Sequence, residues 1–97
     1  MNSDYPDMHQ IFYTQKARQD LHALEKSTAK RVIKKIHFFS LQKNPLSFAK
    51  KLTNSALGQY RFRIGDYRAL FDVNKKGNVQ ILMILRIKHR KDIYDLN

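Results

Sequence analysis

Cationic residues in the second half of the chain recur at a spacing that could place several of them on one surface. The set comprises Arg61, Arg63, Arg68, Arg86 and Lys88. Because successive side chains of a β-strand point to opposite faces of a sheet, the aromatic and aliphatic residues that alternate with these cations can face a core. A planar guanidinium group suits bidentate contact with phosphate, whereas solubility alone would need only lysine. The pattern therefore predicts a phosphate-binding cluster, and its alternative is an ordinary solvated sheet face.

One histidine and one tyrosine follow the last of these cations. His89 stands among Lys88, Arg90 and Lys91, and Tyr94 comes five residues after it. Neighbouring cations favour a neutral imidazole, which can accept a proton near pH 7, although a lone histidine is more often structural or solvated. Tyr94 could stack on a nucleobase or transfer a proton, or it could be a packing residue. Cysteine is absent and the other histidines show no ligand spacing, so no metal site is predicted.

Composition narrows the classes of protein and of partner. The chain has 97 residues and a formal net charge of +11, with 42% hydrophobic residues and no cysteine. This length predicts one domain, residues 1–97, and the charge predicts a polyanionic partner, either nucleic acid or an acidic protein. The polar N-terminus lacks an apolar signal region, and the longest apolar run covers only residues 81–85. We therefore expect a cytoplasmic protein that does not contact the membrane.

Hydrophobic periodicity predicts the elements that must position these residues. Residues 1–8 are expected to be a loose tail, and residues 9–13 a short strand. Thr14 and Ser27 can each cap a helix whose apolar residues recur at helical spacing, and Asn44-Pro45 ends the second one. Since only Glu25 and Lys26 separate the two helices, they should form an antiparallel helical hairpin.

After Pro45 the hydrophobic period changes from that of a helix to that of a strand. Residues 60–64 and 67–73 alternate around Gly65-Asp66, a two-residue hairpin signal. Residues 74–78 predict a second, longer turn, and residues 79–85 predict a central strand that is covered on both faces. A short helix or turn is expected at 92–96. The predicted fold is α+β, in the order β-α-α-β-β-β, with the helical hairpin packed on a small, mainly antiparallel sheet.

Two stretches carry a resemblance to a known family. "LGQYRFRIGDYRALFDV" followed by "ILRIKHRKDIY" resembles the RelE family of the RelE/ParE toxin superfamily, over roughly residues 9–96. The resemblance implies a RelE-like fold and a type II toxin that enters the ribosomal A site and cuts mRNA there. Such toxins use no metal and no other cofactor, since the 2′-hydroxyl of the RNA attacks the adjacent phosphate. The implied partners are mRNA, the ribosome and a cognate acidic antitoxin.

The resemblance also implies roles for individual residues. Arg61 and Arg63 match the basic pair that contacts the RNA phosphates and the reacting centre, and Arg68 matches the arginine that stabilises the transition state. His89 and Tyr94 match groups used for proton transfer or base stacking; we favour His89 as the base and Tyr94 for stacking, with an exchange of roles possible. RNA binding is expected of Arg86, Lys88, Arg90, Lys91 and Lys51. Lys88 departs from relatives that carry arginine there, which leaves the charge stabiliser and the general acid open.

Two other functions fit the same sequence. A ParE-like toxin would inhibit DNA gyrase on the same fold, and it would not need His89 or Tyr94 as chemical groups. A non-catalytic basic module would bind RNA or an acidic protein. The "HRKDIY" ending, residues 89–94, favours the ribonuclease.

Overall fold

The computed structural model describes residues 8–96, and the side chains of residues 9–93. The helices are α1 (Gln15–His22), α2 (Lys26–Ser40) and α3 (Arg90–Leu96), and the strands are β1 (Met8–Tyr13), β2 (Ala49–Lys51), β3 (Tyr60–Ile64), β4 (Tyr67–Lys76) and β5 (Val79–His89). The predicted α+β order is confirmed. Three short elements before β3 were not predicted: the strand β2 and the 3₁₀ turns Pro45–Phe48 and Ser55–Leu57.

The five strands form one sheet in the order β1-β5-β4-β3-β2. β1 pairs with β5 in parallel, and every other neighbouring pair is antiparallel. The mainly antiparallel sheet was predicted correctly. This order places the longest strands, β4 and β5, inside the sheet, so residues from three adjacent strands can meet on either face.

The helical hairpin packs on one face of the sheet, which we call the helix face. Thr14 caps α1 as predicted, and its hydroxyl accepts a hydrogen bond from the Ala17 N–H at 3.1 Å. α2 begins two residues earlier than the Ser27 cap predicted, because Glu25 takes the N-cap position without a side-chain hydrogen bond. Buried residues of both helices and of β3, β4 and β5 form the main core. Phe62 is stacked between Phe39 and Phe71, at ring-centroid distances of 4.5 and 4.3 Å.

The β3–β4 hairpin and the β4–β5 hairpin each have a two-residue turn. The Gly65-Asp66 turn was predicted, and Gly65 has the positive φ of 60° that such turns require. The predicted longer turn at 74–78 is wrong, because β4 continues to Lys76 and only Gly77-Asn78 forms the loop. The strand pattern is hidden there because residues 74–78 are all polar or glycine.

A β-bulge at Leu85 changes which face the end of β5 presents. Leu70 pairs with Arg86, and the next residue of β4, Phe71, pairs with Ile84. Leu85 is thus the extra residue, and the alternation of β5 is reversed beyond it. Before the bulge, Leu82 and Ile84 are buried on the helix face, and beyond it Ile87 is buried there. Without the bulge, Arg86 and Lys88 would fall on the helix face.

The opposite face of the sheet, which we call the open face, has no helical hairpin over it. The prediction that β5 is covered on both sides is therefore correct for the helix face only, since Ile81, Met83 and Leu85 are half-buried. No helix among residues 8–96 is long and apolar enough to cross a membrane.

Candidate functional site

The strand register places the predicted cations of β3, β4 and β5 in two rows on the open face. The first row crosses three adjacent strands and consists of Arg63, Arg68 and Lys88. The second row consists of Lys50, Arg61, Leu70 and Arg86. The helix face carries the buried residues that alternate with these cations along the strands, namely Phe62, Ile64, Ala69 and Ile87. The five cations that the sequence predicted to share a surface therefore do share one, and we call the two rows the cationic rows.

Arg68, at the centre of the first row, is the most firmly held of these side chains. It is only 9% exposed, and its Nη1 donates hydrogen bonds to the carbonyl oxygens of Gly65 at 2.9 Å and Tyr67 at 2.8 Å. The turn between β3 and β4 therefore fixes the orientation of the guanidinium group. A positive charge that is already oriented needs no reorganisation when negative charge develops near it.

Arg86, in the second row, is held by an acid that the sequence analysis missed. Its Nε and Nη2 donate to the carboxylate of Asp20 on α1 at 2.8 and 3.1 Å, and the Ile87 N–H donates to the same carboxylate at 2.9 Å. Burial raises the pKa of Asp20, but hydrogen bonds from Arg86 and from the Ile87 N–H outweigh it and lower the pKa below its ordinary value. The pKa of Arg86 is raised by the same hydrogen bond. Much of the Arg86 charge is thus neutralised within the protein.

His89 lies on the other side of the strand from the cationic rows. It pairs with Tyr67, which packs against the main core, and the two rings meet edge to face at 5.3 Å. Its Nδ1 accepts a hydrogen bond from the Lys91 N–H at 3.2 Å, at the start of α3. Because Nδ1 is the acceptor, a neutral His89 carries its proton on Nε2. In this arrangement His89 caps α3, and the register does not bring it onto the open face.

The remaining predicted RNA-binding residues lie around the rows. Lys51 pairs with Tyr60 and so falls on the helix face, whereas its neighbour Lys50 joins Arg61 in the second row. Arg90 is exposed, and its Nε lies 3.6 Å from Asp66. Lys91 is exposed in the first turn of α3. The side chain of Tyr94 lies outside the described residues; its backbone belongs to α3.

A second, small core attaches α3 to the open face. Ile93 is 2% exposed and forms a cluster with Leu52 and Leu70, against which Leu57 packs. α3 therefore lies over the open face at Leu70. The sequence held a signal for this contact that we did not use. Leu70 stands between Arg68 and Asp72 on the face predicted to be polar, and Ile93 is the apolar residue of a mostly charged segment.

Among the described residues, no three histidine, aspartate or glutamate side chains are grouped as metal ligands would be. What the cationic rows offer is positive charge on neighbouring strands of one sheet. Guanidinium and ammonium groups on neighbouring strands can hold a phosphate and stabilise additional negative charge on it.

Comparisons with known proteins identify the family. Residues 11–94 match the family described as "ParE toxin of type II toxin-antitoxin system, parDE". The chain is 33% identical over 84 residues to Toxin RelG of Mycobacterium tuberculosis, an alignment that covers 87% of this chain and 93% of that one.

Solved structures agree with this match. The chain is similar to the toxin–antitoxin complex RelBE2 from Mycobacterium tuberculosis, with 29% identity, a TM-score of 0.66, and coverage of 86% of this chain and 99% of that one. The archaeal RelE-RelB complex from Pyrococcus horikoshii is 25% identical, with a TM-score of 0.62 and coverage of 86% and 96%. Given these matches along most of its length, the chain belongs to the RelE/ParE family of toxins of type II toxin–antitoxin systems.

Proposed function

We propose that this toxin is a ribosome-dependent endoribonuclease that cuts mRNA in the ribosomal A site. The observation that carries the proposal is the row of Arg63, Arg68 and Lys88 across three adjacent strands. Three cations at strand spacing suit a single phosphodiester, and the central one is already oriented by the β3–β4 turn. Such a site acts on an RNA that is already held in a fixed position. The ribosome, which lies in the cytoplasm, would hold the mRNA in this way.

The reaction needs no nucleophile from the protein. The 2′-oxygen attacks the adjacent phosphorus, the bond from phosphorus to the 5′-oxygen breaks, and the products end in a 2′,3′-cyclic phosphate and a 5′-hydroxyl. One proton leaves the 2′-hydroxyl, and one is added to the departing 5′-oxygen. The pentacoordinate transition state gains negative charge, which Arg63, Arg68 and Lys88 stabilise. Removing one preorganised donor of this kind costs about 100- to 1000-fold in rate.

Proton transfer is assigned to the junction of β5 and α3, where His89 and Tyr94 stand in the sequence. In the conformation with α3 docked, Nδ1 of His89 is occupied by the Lys91 N–H and the ring is turned towards Tyr67. His89 can serve as the base only after this contact is broken. We therefore propose that release of α3 from the open face precedes catalysis.

The proposed partner is a cognate acidic antitoxin. Two facts support it: the net charge of +11, and the similarity to chains solved in complex with antitoxins. An acidic segment that orders on binding would cover the cationic rows and block access of RNA to them.

A translating extract supplied with the purified toxin tests the proposal. We expect new mRNA 5′ ends within codons, each paired with a fragment that ends in a cyclic phosphate. Arg68→Gln and Arg63→Gln should each reduce cleavage by about 100-fold or more. Arg31→Gln, an exposed arginine on α2, is the matched control and should cleave normally. Unimpaired cleavage by the folded Arg63 variant would contradict the assignment.

Two observations favour a second candidate, a ParE-like inhibitor of DNA gyrase. The family match is to a ParE toxin, and His89 does not lie on the face that carries the cations. A supercoiling assay separates the two candidates. Inhibition of gyrase without RNA cleavage would replace the ribonuclease by this second function.

A further inference from the structure

A groove of about 550 Å³ lies beside the cationic rows on the open face. Residues from four parts of the chain line it, among them Lys16, Leu57, Leu70, Leu85, Arg86 and Lys88. The start of α1 and the turn Ser55–Leu57 contribute to it from outside the sheet, and β4 and β5 contribute from within. Lys88 belongs both to the groove and to the first cationic row, so the two sites are continuous.

The bulge in β5 provides part of this lining. Because Leu85 is the extra residue, it and Arg86 both face the open side, where a regular strand would present only one of them. Gly58 then packs directly on Leu85. A Cβ atom at position 58 would lie 3.0 Å from Cδ1 of Leu85, and the φ of 129° is one that only glycine adopts readily. The turn before β3 is therefore held close to the bulge, which fixes this part of the groove.

The groove combines apolar side chains with positive charge. Leu57 and Leu85 are half-buried and Leu70 lies beneath them, fully covered. Lys16 is exposed, and Lys88 is half-buried. Because Asp20 holds the guanidinium group of Arg86, the two lysines supply most of the free charge. A ligand that fits has a flat, largely apolar part and an anionic backbone beside it.

We propose that this groove binds the base of the RNA nucleotide adjacent to the one whose phosphate lies on the first cationic row. The proposal rests on the proposed ribonuclease function. It assigns to the groove the base of one of the two nucleotides that flank the scissile phosphate. A nucleobase can be held between apolar side chains as well as aromatic ones, while cations hold the phosphates. A partner helix fits less well, since it would need an apolar stripe several turns long, and here the cations Lys16 and Lys88 interrupt the apolar lining.

Leucine methyl resonances can detect the base directly. The probe is a single-stranded RNA trinucleotide with a 2′-O-methyl group at each ribose, which cannot be cleaved by the proposed route. Ring currents of a bound base should shift the Leu57 and Leu85 methyl signals. The signals of Leu41, which is 69% exposed at the C-terminal end of α2, should not change. Each nucleotide of the probe is then replaced in turn by an abasic nucleotide. Replacement at one position only should abolish the shifts of the Leu57 and Leu85 methyl signals.

Affinity measurements with matched variants complete the test. Leu57→Ala should weaken binding of the intact trinucleotide about fivefold, by loss of apolar contact, and should have little effect on the abasic one. Lys16→Gln should weaken the binding of both, and Lys26→Gln, exposed at the start of α2, should weaken neither.

Two results would overturn the subsite. In the first, the trinucleotide binds without shifting the methyl signals of Leu57 or Leu85, or it does not bind at all. In the second, the same variants weaken binding of the antitoxin while RNA binding is unchanged, which would make the groove an antitoxin contact. Failure of the ribonuclease function itself would appear separately, as intact mRNA in the translating extract supplied with wild-type toxin.

Discussion

At the scale of single residues, Asp20 is the acid that joins α1 to the end of β5. Its carboxylate accepts hydrogen bonds from Arg86 and from the Ile87 N–H, directly after the bulge in β5. It therefore satisfies a strand edge that β1 leaves unpaired, because the last pair of that ladder is Tyr13 with Ile84. Losing this carboxylate should loosen the part of β5 that carries Lys88.

Replacement of Asp20 by Asn should destabilise the protein by about 1 kcal/mol at neutral pH, since the ion pair is partly exposed to solvent. The folded-state pKa of Asp20 is lowered, so its contribution is present above the unfolded-state pKa of about 4 and is lost as pH falls through the folded value. Urea unfolding of both proteins at a series of pH values measures this. The difference between them should shrink below about pH 4. Glu25→Gln, an exposed control, should match the wild type, and a constant difference would exclude the ionised carboxylate as the cause.

His89 can be assigned to capping or to proton transfer by comparing two substitutions. Asn is a good helix N-cap and can accept the Lys91 N–H bond that His89 Nδ1 now accepts. If capping is the main role, His89→Asn should keep most of the cleavage activity and His89→Ala should lose stability at α3. Proton transfer predicts instead that both variants lose about 100-fold or more in rate. Cleavage rates in the translating extract, together with circular dichroism of each variant, distinguish the two.

Residue-level contacts were predictable only where they follow from local alternation. The positions of Arg61, Arg63 and Arg68 on one face followed from strand geometry. The pairing of Asp20 with Arg86 did not, because the two are 66 residues apart and no local pattern links a helix acid to a strand end. The same holds for the His89 ring, whose orientation depends on a bulge four residues earlier.

At the scale of elements, the described part of α3 is attached to the open face by one buried side chain and one backbone hydrogen bond. One buried side chain, Ile93, joins it to Leu52 and Leu70, and the Arg90 N–H donates to the Asp66 carbonyl at 2.8 Å. A short helix whose buried side chain belongs to a small cluster outside the main core can open locally, at lower free energy than global unfolding. Opening of α3 would uncover Leu70 on the open face without disturbing the main core.

Ile93→Ala should therefore release α3 and leave the rest of the fold intact. Hydrogen exchange followed by mass spectrometry should show α3 amides exchanging about tenfold faster or more, while β3, β4 and β5 remain protected. Lys91→Ala changes an exposed residue of the same helix and should leave its exchange near that of the wild type. Equal loss of protection in α3 and in the central strands would show that α3 is part of the global core.

Two element-level features escaped prediction for physical reasons. β2 has the sequence Ala-Lys-Lys, which shows no apolar alternation, and it is a strand because β3 offers it a pairing edge. The bulge at Leu85 places two consecutive residues on one face, which no fixed period describes. The helical hairpin and the β3–β4 hairpin were predictable, because their periodicity and turn residues are local.

At the scale of the whole molecule, one face of the sheet stabilises the fold and the other carries the candidate site. The helix face holds the main core, while the open face carries the cationic rows, the groove and α3. The net charge of +11 would attract RNA to any part of the surface. The arrangement predicts that strong binding nevertheless depends on charges of the open face, because these lie close together on neighbouring strands.

The salt dependence of RNA affinity tests whether RNA binding depends on the cations of the open face or on the net charge of the whole protein. Each phosphate neutralised on a single strand contributes about −0.7 to the slope of log affinity against log salt concentration. Arg63→Gln, exposed in the first cationic row, should therefore reduce the magnitude of the slope by about 0.7 and weaken binding of a single-stranded RNA. Lys34→Gln removes the same charge from the exposed side of α2 and should leave the slope unchanged. Equal changes in both variants would mean that RNA is held by the overall field of the protein, and the cationic rows would then lose their special role.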